Sequence, residues 1–233
     1  MKEILENGFA ELDIVLHEKA AERYEKYFEF LEEKNKVMNL TAISGREDVA
    51  RLHFLDCAAL LNFADFKNKS VIDVGTGAGF PGLALKIAEP DMKLTLLDSL
   101  NKRIDFLQET CEKLSLEDVR CIHARAEEAP KDFRGAFDIA TSRAVARLNV
   151  LCELCIPFLK EDGLFIAMKG PDCSDELLEA QKAMKLLGAE LVACESYRIP
   201  GTDISHTAVI IRKVKPTHPK YPRKWAQIKK QPL

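Results

Sequence analysis

A glycine-rich loop follows an apolar run and precedes a predicted helix. Gly75, Gly77 and Gly79 occupy alternate positions of SVIDVGTGAGFPG, and Phe80 and Pro81 are predicted to begin the helix. Glycines with this spacing permit a tight turn and let a ligand lie against bare main chain, which a side chain would obstruct. Ligands of open α/β sheets bind beyond the carboxyl ends of the strands. The loop therefore predicts a cofactor site.

Two acidic residues bear on which cofactor this loop would hold. Gly77, Gly79 and Gly82 also satisfy the G-x-G-x-x-G spacing of dinucleotide sites, where a pyrophosphate lies at the helix N-terminus. Asp73 would crowd such a phosphate, but it could attract the ammonium group of a methionine moiety. Asp98, which ends the next predicted strand, could accept hydrogen bonds from the ribose hydroxyls of either cofactor. The balance favours S-adenosylmethionine, with a nicotinamide cofactor as the alternative.

The cysteines and histidines do not form a pattern typical of metal ligands. Seven cysteines are an odd number scattered through apolar segments, which suits reduced thiols better than a disulfide framework. Cys152 and Cys155 form a C-x-x-C, but they fall in a predicted helix over 148–159 and no second pair completes a zinc site. The five histidines are isolated in sequence and receive no chemical role. We expect neither a metal site nor a disulfide.

Seven short apolar or β-branched runs predict the strands that position these residues. Helix candidates of crossover length separate the first five runs, which predicts a doubly wound α/β fold with a mostly parallel seven-stranded sheet. The last two runs flank a loop with Pro200 and Gly201, which predicts a hairpin and an antiparallel strand at the end of the sheet. The runs are Val71 to Val74, Leu94 to Leu97, Val119 to His123, Phe137 to Thr141, Leu164 to Met168, Glu190 to Tyr197 and Thr207 to Val214.

The predicted sheet divides the chain into three parts. Residues 1–66 are expected to form a helical extension packed on the core, with amphipathic helices over 12–35 and 47–64. Residues 67–215 form the cofactor-binding core, and residues 216–233 form a basic tail. From Arg212 to Leu233 there are eight Lys and Arg and no Asp or Glu, although the whole chain has a formal net charge of -3. The tail is either a solvated segment or a patch that faces a polyanion.

Composition limits the class of protein. A chain of 233 residues with 47% hydrophobic content can bury a substantial core. No run approaches the roughly 20 apolar residues of a membrane span, and MKEILENGFA lacks the layout of a secretory signal. We expect a cytoplasmic protein without a membrane partner, and nothing in the sequence suggests an obligate dimer, so we expect a monomer.

The glycine loop resembles a known family when it is read with segments further along the chain. VIDVGTGAGFPG is followed in order by LTLLDSLNKRIDFLQ, ARAEE, TSRAVA and MKG. This order and spacing resemble the bacterial 16S ribosomal RNA guanine-N7 methyltransferases, the glucose-inhibited division protein B family. The resemblance extends from NLTAI at 39–43 and RLHFLDC at 51–57 to YPRK at 221–224. The tail departs from the family pattern at Trp225 and Ala226, where smaller or turn-forming residues are expected.

The resemblance implies an S-adenosylmethionine-dependent methyltransferase that acts on N7 of a guanine in 16S rRNA, guanine 527 within the family. Its partner would be 16S rRNA in the small ribosomal subunit or in an assembly intermediate, and no DNA. Gly75 and Phe80 would line the methionine and adenosine parts of the pocket, and Asp98 would hold the ribose. Ala126 and Glu127 would border the adenine. The complete predicted cofactor set is Gly75, Gly77, Gly79, Phe80, Asp98, Ser99, Ala126, Glu127 and Arg143.

Methylation at guanine N7 does not require a catalytic base from the protein. Guanine N7 has a lone pair and no proton to lose, so no general base is required and none is assigned. Catalysis would come from holding N7 in line with the methyl group, and Arg143 is the candidate for positioning through a contact with either cofactor or RNA. The base would be flipped or presented from a loop, because N7 lies in the deep major groove of paired RNA. The candidates for RNA contacts are Arg125, Arg143, Arg147, Lys169 and Arg223.

Three alternatives remain at this point. The G-x-G-x-x-G spacing fits an NAD-dependent oxidoreductase. A non-catalytic RNA-binding module would keep the fold without transferring a methyl group. An S-adenosylmethionine methyltransferase could also act on a small molecule or a protein, against which the basic tail argues modestly.

Overall fold

A mostly parallel sheet of seven strands forms the centre of the chain, which the computed structural model describes at residues 1–143 and 145–233. The strands are β1 (Ser70–Val74), β2 (Lys93–Asp98), β3 (Val119–His123), β4 (Phe137–Arg143), β5 (Leu159–Lys169), β6 (Ala189–Arg198) and β7 (Ser205–Lys213). Their order in the sheet is β3-β2-β1-β4-β5-β7-β6. Strand order reverses between β1 and β4, so a crevice for a ligand is expected beyond their carboxyl ends. The doubly wound α/β class and all seven strand predictions are confirmed.

The last two strands form the predicted hairpin, but the antiparallel strand is not at the edge of the sheet. β7 runs antiparallel to both β5 and β6 and lies between them. The run from Thr207 to Ile211 is buried, because its side chains pack into hydrophobic clusters on both faces of the sheet. β6 is the edge strand and is largely exposed, as its charged and polar residues require. The position predicted for the antiparallel strand was therefore wrong by one strand.

Helices cover both faces of the sheet, and one hydrophobic cluster lies on each face. The helices that follow β1 and β2, and those of the N-terminal extension, pack on one face around Tyr27 and Phe106. The remaining helices pack on the other face around Leu151, Ala183 and Ile228. The helices of the core and tail are α5 (Gly82–Ala88), α6 (Asn101–Lys113), α7 (Leu148–Cys155), α8 (Ser174–Leu187) and α9 (Trp225–Lys230).

The predicted helix that carries the C-x-x-C is confirmed. Cys152 and Cys155 lie on α7, are fully buried and have free thiols. Burial raises the pKa of the Cys152 thiol to about 12. These cysteines are therefore neutral packing residues of the second hydrophobic cluster.

The N-terminal extension differs from the prediction in its first helix. Instead of one helix over 12–35, there are two, α1 (Lys2–Glu11) and α2 (Ala20–Met38). The first helix ends before Asp13, because Asp13 adopts a left-handed conformation with a φ of 57°. The amphipathic pattern of 12–35 was read correctly from Ala20 onward, but the break at Asp13 and the helix before it were missed.

The second helix of the extension is confirmed in place and is not a regular α-helix. α3 (Arg46–Val49) continues into a π-helical turn (Ala50–Leu55), then α4 (Asp56–Ala58) and a 3-10 turn (Ala59–Asn62). The amide of Asp56 donates to the carbonyl of Arg51, five residues earlier. A π-helical turn widens the backbone and is frequent at functional sites. Here it directs the carbonyl of Leu52 and the side chains of His53 and Asp56 toward the end of β4.

The C-terminal segment after β7 is packed on the core rather than extended into solvent. Tyr221 is 5% exposed and Ile228 on α9 is fully buried. The guanidinium of Arg134 donates to the carbonyls of Thr217, His218 and Tyr221. This segment therefore completes the second hydrophobic cluster. Across the described residues, no helix combines the length and the apolar character needed to cross a membrane.

Candidate active site

A cavity of about 510 Å³ opens at the carboxyl ends of β1, β2 and β4. Eight of the nine predicted cofactor residues line it, although they come from four separate segments of the chain. Within the described residues, no group of His, Cys, Asp and Glu is placed so that it could hold a metal ion. The eight residues are Gly75, Gly77, Phe80, Asp98, Ser99, Ala126, Glu127 and Arg143.

The first turn of the glycine loop is fixed to the end of β2. The amides of Gly75 and Thr76 both donate to the carbonyl of Leu97, at 2.8 and 3.1 Å. Gly75 has a φ of +72°, and a Cβ added to it would lie 2.6 Å from Cγ2 of Val145. Both the backbone angle and the approach of Val145 therefore require glycine at position 75.

Gly79, the ninth predicted cofactor residue, does not line the cavity. Its α-carbon faces the helices instead, and a Cβ there would lie 2.5 Å from the hydroxyl of Tyr27 and 3.0 Å from Leu83 and Leu107. The predicted contact of Gly79 with the cofactor is therefore corrected. The glycine permits close packing of the loop against α2 and α6.

Asp73 lies beneath the glycine loop and does not reach the cavity. Its side chain is fully buried, and its Oδ2 accepts a hydrogen bond of 2.8 Å from the amide of Gly82 at the start of α5. Burial raises the pKa of this carboxyl to about 6. The predicted attraction of Asp73 for an ammonium group is corrected, because the carboxylate binds the helix N-terminus.

The same bond argues against a dinucleotide. A pyrophosphate would need the amide at the start of α5, where the Asp73 carboxylate already accepts the hydrogen bond from Gly82. A Cβ at Gly82 would collide with the Asp73 side chain, so this glycine serves packing rather than ligand approach. The helix begins at Gly82, with Pro81 as its N-cap, two residues later than predicted.

Asp98 holds the glycine loop and the start of α6 together. Its Oδ2 accepts hydrogen bonds from the amide of Gly77 at 2.9 Å and from the guanidinium of Arg103 at 3.3 Å. Its Oδ1 accepts a bond from the amide of Leu100 at 2.9 Å. A carboxylate has about four acceptor positions, so one remains on Oδ1 for a hydroxyl donor. Arg103 also lines the cavity and was not predicted.

Glu127 brings an unpartnered acceptor to the cavity wall. Its side chain is 6% exposed, and its Oε1 is buried without a hydrogen bond. The guanidinium of Arg125 is its nearest cation, at 4.0 Å, which is beyond hydrogen-bond distance. A buried carboxylate oxygen without a donor is costly, so this atom is suited to an N–H group of a ligand.

Arg143 is held at the end of β4 by the N-terminal extension. Its Nη1 donates to the carbonyl of Leu52 and to Oδ2 of Asp56, both at 3.1 Å. Its Nη2 lies 2.7 Å from Nδ1 of His53. The guanidinium carbon is also 5.0 Å from the centroid of the Phe80 ring. The predicted residue is therefore in the cavity wall, in a fixed orientation.

His53 also lines the cavity, although no sequence pattern selects it. Its ring stacks on Phe80 with centroids 4.1 Å apart. A guanidinium can only donate, so Nδ1 of His53 accepts from Arg143, and Nε2 carries the proton and donates to Oγ1 of Thr41 at 2.8 Å. Burial, and then the charge of Arg143, lower the pKa of His53 to about 3. The imidazole is therefore neutral and has no unpaired nitrogen.

Asp56 joins this network to the far end of the sheet. Its carboxylate is fully buried, and besides Arg143 it binds the hydroxyl of Tyr197 at 2.8 Å and Nδ1 of His206 at 2.9 Å. The hydrogen bond to Asp56 raises the pKa of His206. The extension, β4 and the last hairpin thus meet at one carboxylate. The segment RLHFLDC at 51–57 contains His53 and Asp56, but the residues of the sheet that they bind lie about 90 to 150 positions further along the chain.

Of the predicted RNA-binding residues outside the Arg143 network, the structure brings only Arg125 to the cavity. Its side chain is 51% exposed. Lys169 is 9% exposed and donates to the carbonyl of Ala146 and the carboxylate of Glu176, so it is not a free cation, and its RNA contact stays a prediction.

The two remaining candidates are paired arginines. Arg223 forms a bidentate ion pair with Glu153, which is fully buried, so it is not a free cation either, and its RNA contact stays a prediction. Arg147 forms an exposed bidentate pair with Glu179 and lies outside the cavity.

Comparison with known proteins places the chain in a family. The family model "GidB: rRNA small subunit methyltransferase G" matches residues 20–204. A "Ribosomal RNA small subunit methyltransferase G" of Alkaliphilus oremlandii is 47% identical over 236 residues, covering 100% of this chain and 99% of the relative. A protein of the same name from Clostridium perfringens (strain 13 / Type A) is 48% identical over 218 residues, with 91% of each chain covered.

Solved structures support the fold at much lower identity. A point mutant of the 16S rRNA (adenine(1408)-N(1))-methyltransferase from Catenulisporales acidiphilia has a TM-score of 0.54 and 14% identity, covering 66% of this chain and 88% of that chain. M. jannaschii TYW2 in complex with AdoMet has a TM-score of 0.53 and 16% identity, covering 72% and 81%. The family match and the full-length relatives together establish that the chain belongs to the rRNA small subunit methyltransferase G family.

Proposed function

We propose that this chain transfers a methyl group from S-adenosylmethionine to N7 of a guanine in 16S rRNA, which by family resemblance is guanine 527. The substrate is the small ribosomal subunit or an assembly intermediate in the cytoplasm. Family membership supports the reaction class, and the cavity supports the choice of nucleophilic atom. The single observation that carries the choice of N7 is the hydrogen-bonded state of the side chains that could act as bases.

The lining of the cavity fits the cofactor in three places. The space beside the α-carbon of Gly77 is open, because a Cβ there would have no neighbour closer than 4.0 Å, so a ligand could approach the main chain of the loop. Asp98 Oδ1 retains an acceptor position for a ribose hydroxyl. Glu127 Oε1 is buried and lacks a donor, which the exocyclic amine of adenine would supply. When bound, S-adenosylmethionine supplies a methyl group on a positively charged sulfur.

The potential bases of the cavity are already bound. Both nitrogens of His53 are hydrogen-bonded, and Asp98 accepts three internal bonds. Among the described residues that line the cavity, Glu127 has the one carboxylate oxygen without a partner, and we assign that oxygen to the cofactor. No described cysteine lines the cavity either. This arrangement suits a nucleophile that brings its own lone pair, as guanine N7 does, because a hydroxyl or amine would have to lose a proton to a base.

Arg143 and Phe80 position the reacting groups. The carboxylate of Asp56 compensates the charge of the Arg143 guanidinium, at 3.1 Å. This pairing matters because methylation at N7 places a positive charge on the base, which an uncompensated guanidinium would repel. The neutral state of His53 avoids a second cation beside the Phe80 ring. The protein therefore contributes orientation and a tolerant electrostatic environment.

Arg125 is our proposed RNA contact at the mouth of the cavity. It is half exposed, lines the cavity and lacks a carboxylate within hydrogen-bond distance among the described residues. Phosphate contacts by arginine supply much of the affinity of proteins for RNA and weaken with salt. The target base must leave the helix or lie in a loop to reach the cavity, because N7 is inaccessible in A-form RNA.

The test is methyl transfer to ribosomal subunits. Small subunits that lack the modification are incubated with the purified chain and S-adenosylmethionine carrying a labelled methyl group, and the digested RNA is analysed by mass spectrometry. We expect one labelled 7-methylguanosine per subunit. Subunits that already carry the modification are the control and should take up no label.

Two outcomes would contradict the proposal. Label at another atom or base would retain the cofactor and reject N7. Absence of transfer to subunits and to free 16S rRNA, with calorimetrically measured cofactor binding, would leave the fold and the cavity in place and reject the RNA substrate.

A further inference from the structure

Trp225 is part of the cavity wall although it comes from the C-terminal segment. It is the one tryptophan of the chain, begins α9 and is 36% exposed. It shares the cavity with the glycine loop and with Ala126 and Glu127. Trp225 lies outside residues 20–204, which the family model matches.

The segment that carries Trp225 is anchored on both sides of the residue. Two residues earlier, Arg223 donates to Glu153 through its amide, its Nε and its Nη2, at 2.9, 2.7 and 2.6 Å. Glu153 is fully buried, so this ion pair is protected from water. Three residues later, Ile228 is fully buried. The backbone at Trp225 is therefore held against the core on both sides of the residue.

The anchors also show which side of the cavity Trp225 occupies. Leu154, next to Glu153 on α7, lines the cavity, and it belongs to the same hydrophobic cluster as Ile228. Ala126 packs against that cluster as well. Phe80, which contacts His53 and Arg143, belongs to the cluster on the opposite face of the sheet. These packing partners place Trp225 on the side of the cavity that carries Ala126 and opposite to Phe80.

On this side the wall offers two features that suit one kind of ligand. The indole provides a flat, partly exposed aromatic surface. Glu127 provides a buried carboxylate oxygen that lacks a donor. A purine with an exocyclic amine satisfies both, because its face packs against the indole and its N–H donates to the carboxylate. Guanine has its amine on the opposite side of the ring from N7, so a guanine bound here would direct its reacting atom away from Glu127.

We propose that Trp225 packs against the adenine base of S-adenosylmethionine, so that the C-terminal segment forms part of the cofactor site. The inference rests on the proposed function, which supplies the cofactor. Base-aromatic contacts of this kind contribute enough affinity that their removal is readily measured.

Because Trp225 is the one tryptophan of the chain, the fluorescence emission of the wild type reports on changes around this residue. Tryptophan emission is recorded during titration with S-adenosylhomocysteine, adenosine, methionine and an RNA hairpin without cofactor. We expect S-adenosylhomocysteine and adenosine to change the emission and methionine to leave it unchanged. Emission that responds to the RNA hairpin and not to adenosine would overturn the proposal and assign Trp225 to the substrate.

Substitution provides the second measurement. Trp225→Ala should weaken binding of S-adenosylhomocysteine about tenfold in calorimetry, whereas Trp225→Phe should stay within about threefold of the wild type because it retains an aromatic face. Lys229→Ala, on the same helix and outside the cavity, is the matched control and should bind normally. Circular dichroism spectra that match the wild type establish that each variant is folded.

The two proposals fail in different ways. If the wild-type chain gives no heat with S-adenosylmethionine or S-adenosylhomocysteine, the proposed function fails and the assignment of Trp225 fails with it. If the wild type binds and neither its emission nor the affinity of Trp225→Ala differs from the control, only the assignment of Trp225 is overturned.

Discussion

The two ends of the cavity differ in whether their polar side chains are hydrogen-bonded within the protein. At the end near β4, Arg143 donates to Leu52, His53 and Asp56, and its charge is compensated within the protein. At the other end, Glu127 has a buried oxygen without a donor. The first end is rigid before any ligand arrives, and the second retains capacity for hydrogen bonding. The difference shows how one cavity can fix the geometry of a reaction at one end and gain ligand affinity at the other.

Removing the carboxylate of the rigid end should have the largest effect. Asp56→Ala leaves the Arg143 guanidinium buried without its partner, and we expect the free energy of unfolding to fall by about 3–5 kcal/mol in urea denaturation. Glu179→Ala is the matched control, because it breaks an arginine-carboxylate pair that is about half exposed. It should change stability by less than about 1 kcal/mol. Equal effects of the two variants would show that the Asp56 network is not specially stabilising.

The glycine loop between the two ends should be the next most sensitive part. Gly75→Ala places a methyl group 2.6 Å from Val145, and we expect cofactor affinity to fall by about 1–3 kcal/mol, or roughly 5- to 150-fold, in calorimetry. Gly135→Ala controls for the cost of a left-handed backbone, since Gly135 has a φ of +65° and lies outside the cavity. If Gly135→Ala weakened the affinity as much, the effect would be general strain rather than displacement of Val145 in the cavity wall.

The neutral histidine of the rigid end gives a pH dependence with a definite sign. The pKa of His53 is lowered from 6.5 to about 3 in the folded chain, so the unfolded chain takes up a proton near pH 6.5 and the folded chain does not. The stabilisation is fully present above pH 6.5 and is lost as the pH falls toward 3.

The pH dependence is measured by comparing the free energies of unfolding of the wild type and the His53→Gln variant. The free energy of unfolding of the wild type minus that of His53→Gln should decrease by about 2 kcal/mol between pH 6.5 and 5. The subtraction removes the contributions of groups that both proteins share. A difference that does not change with pH would show that folding does not lower the pKa of His53.

We expect the smallest effect from a substitution at the end of the cavity that contains Glu127. Glu127→Ala removes the unpartnered oxygen, so the chain without ligand should become more stable by about 1 kcal/mol while cofactor affinity falls about tenfold. Thermal unfolding and calorimetry on the same samples measure the two changes. A decrease in both stability and affinity would show that the carboxylate has a partner in the protein.

Local patterns were sufficient to predict the sheet and part of the cavity. Residues that follow parallel strands meet at one edge of the sheet, so Gly75 and Asp98 could be placed there from the strand pattern. Ala126 and Arg143 were added by the family resemblance. Gly79 was misassigned because spacing does not reveal which glycines face a ligand and which face a neighbouring helix.

The errors and omissions concern long-range partners. Lys169 and Arg223 resembled free cations in the sequence, but Glu176 and Glu153 bind them in the structure. His53 was passed over because its role depends on Arg143, 90 residues away. The π-helical turn that presents it follows from tertiary contacts, since no residue type in ARLHFL marks such a turn.

The Asp56 network also sets the order in which the protein acquires its site. Its members are joined across 87 residues to Arg143, 141 to Tyr197 and 150 to His206. Contacts between such distant positions form only after the loop-closure entropy of the intervening chain has been overcome, which places them late in folding. A refolding intermediate can therefore have a complete parallel sheet before Asp56 binds the guanidinium of Arg143. Recovery of methyl transfer should lag behind recovery of secondary structure after dilution from denaturant.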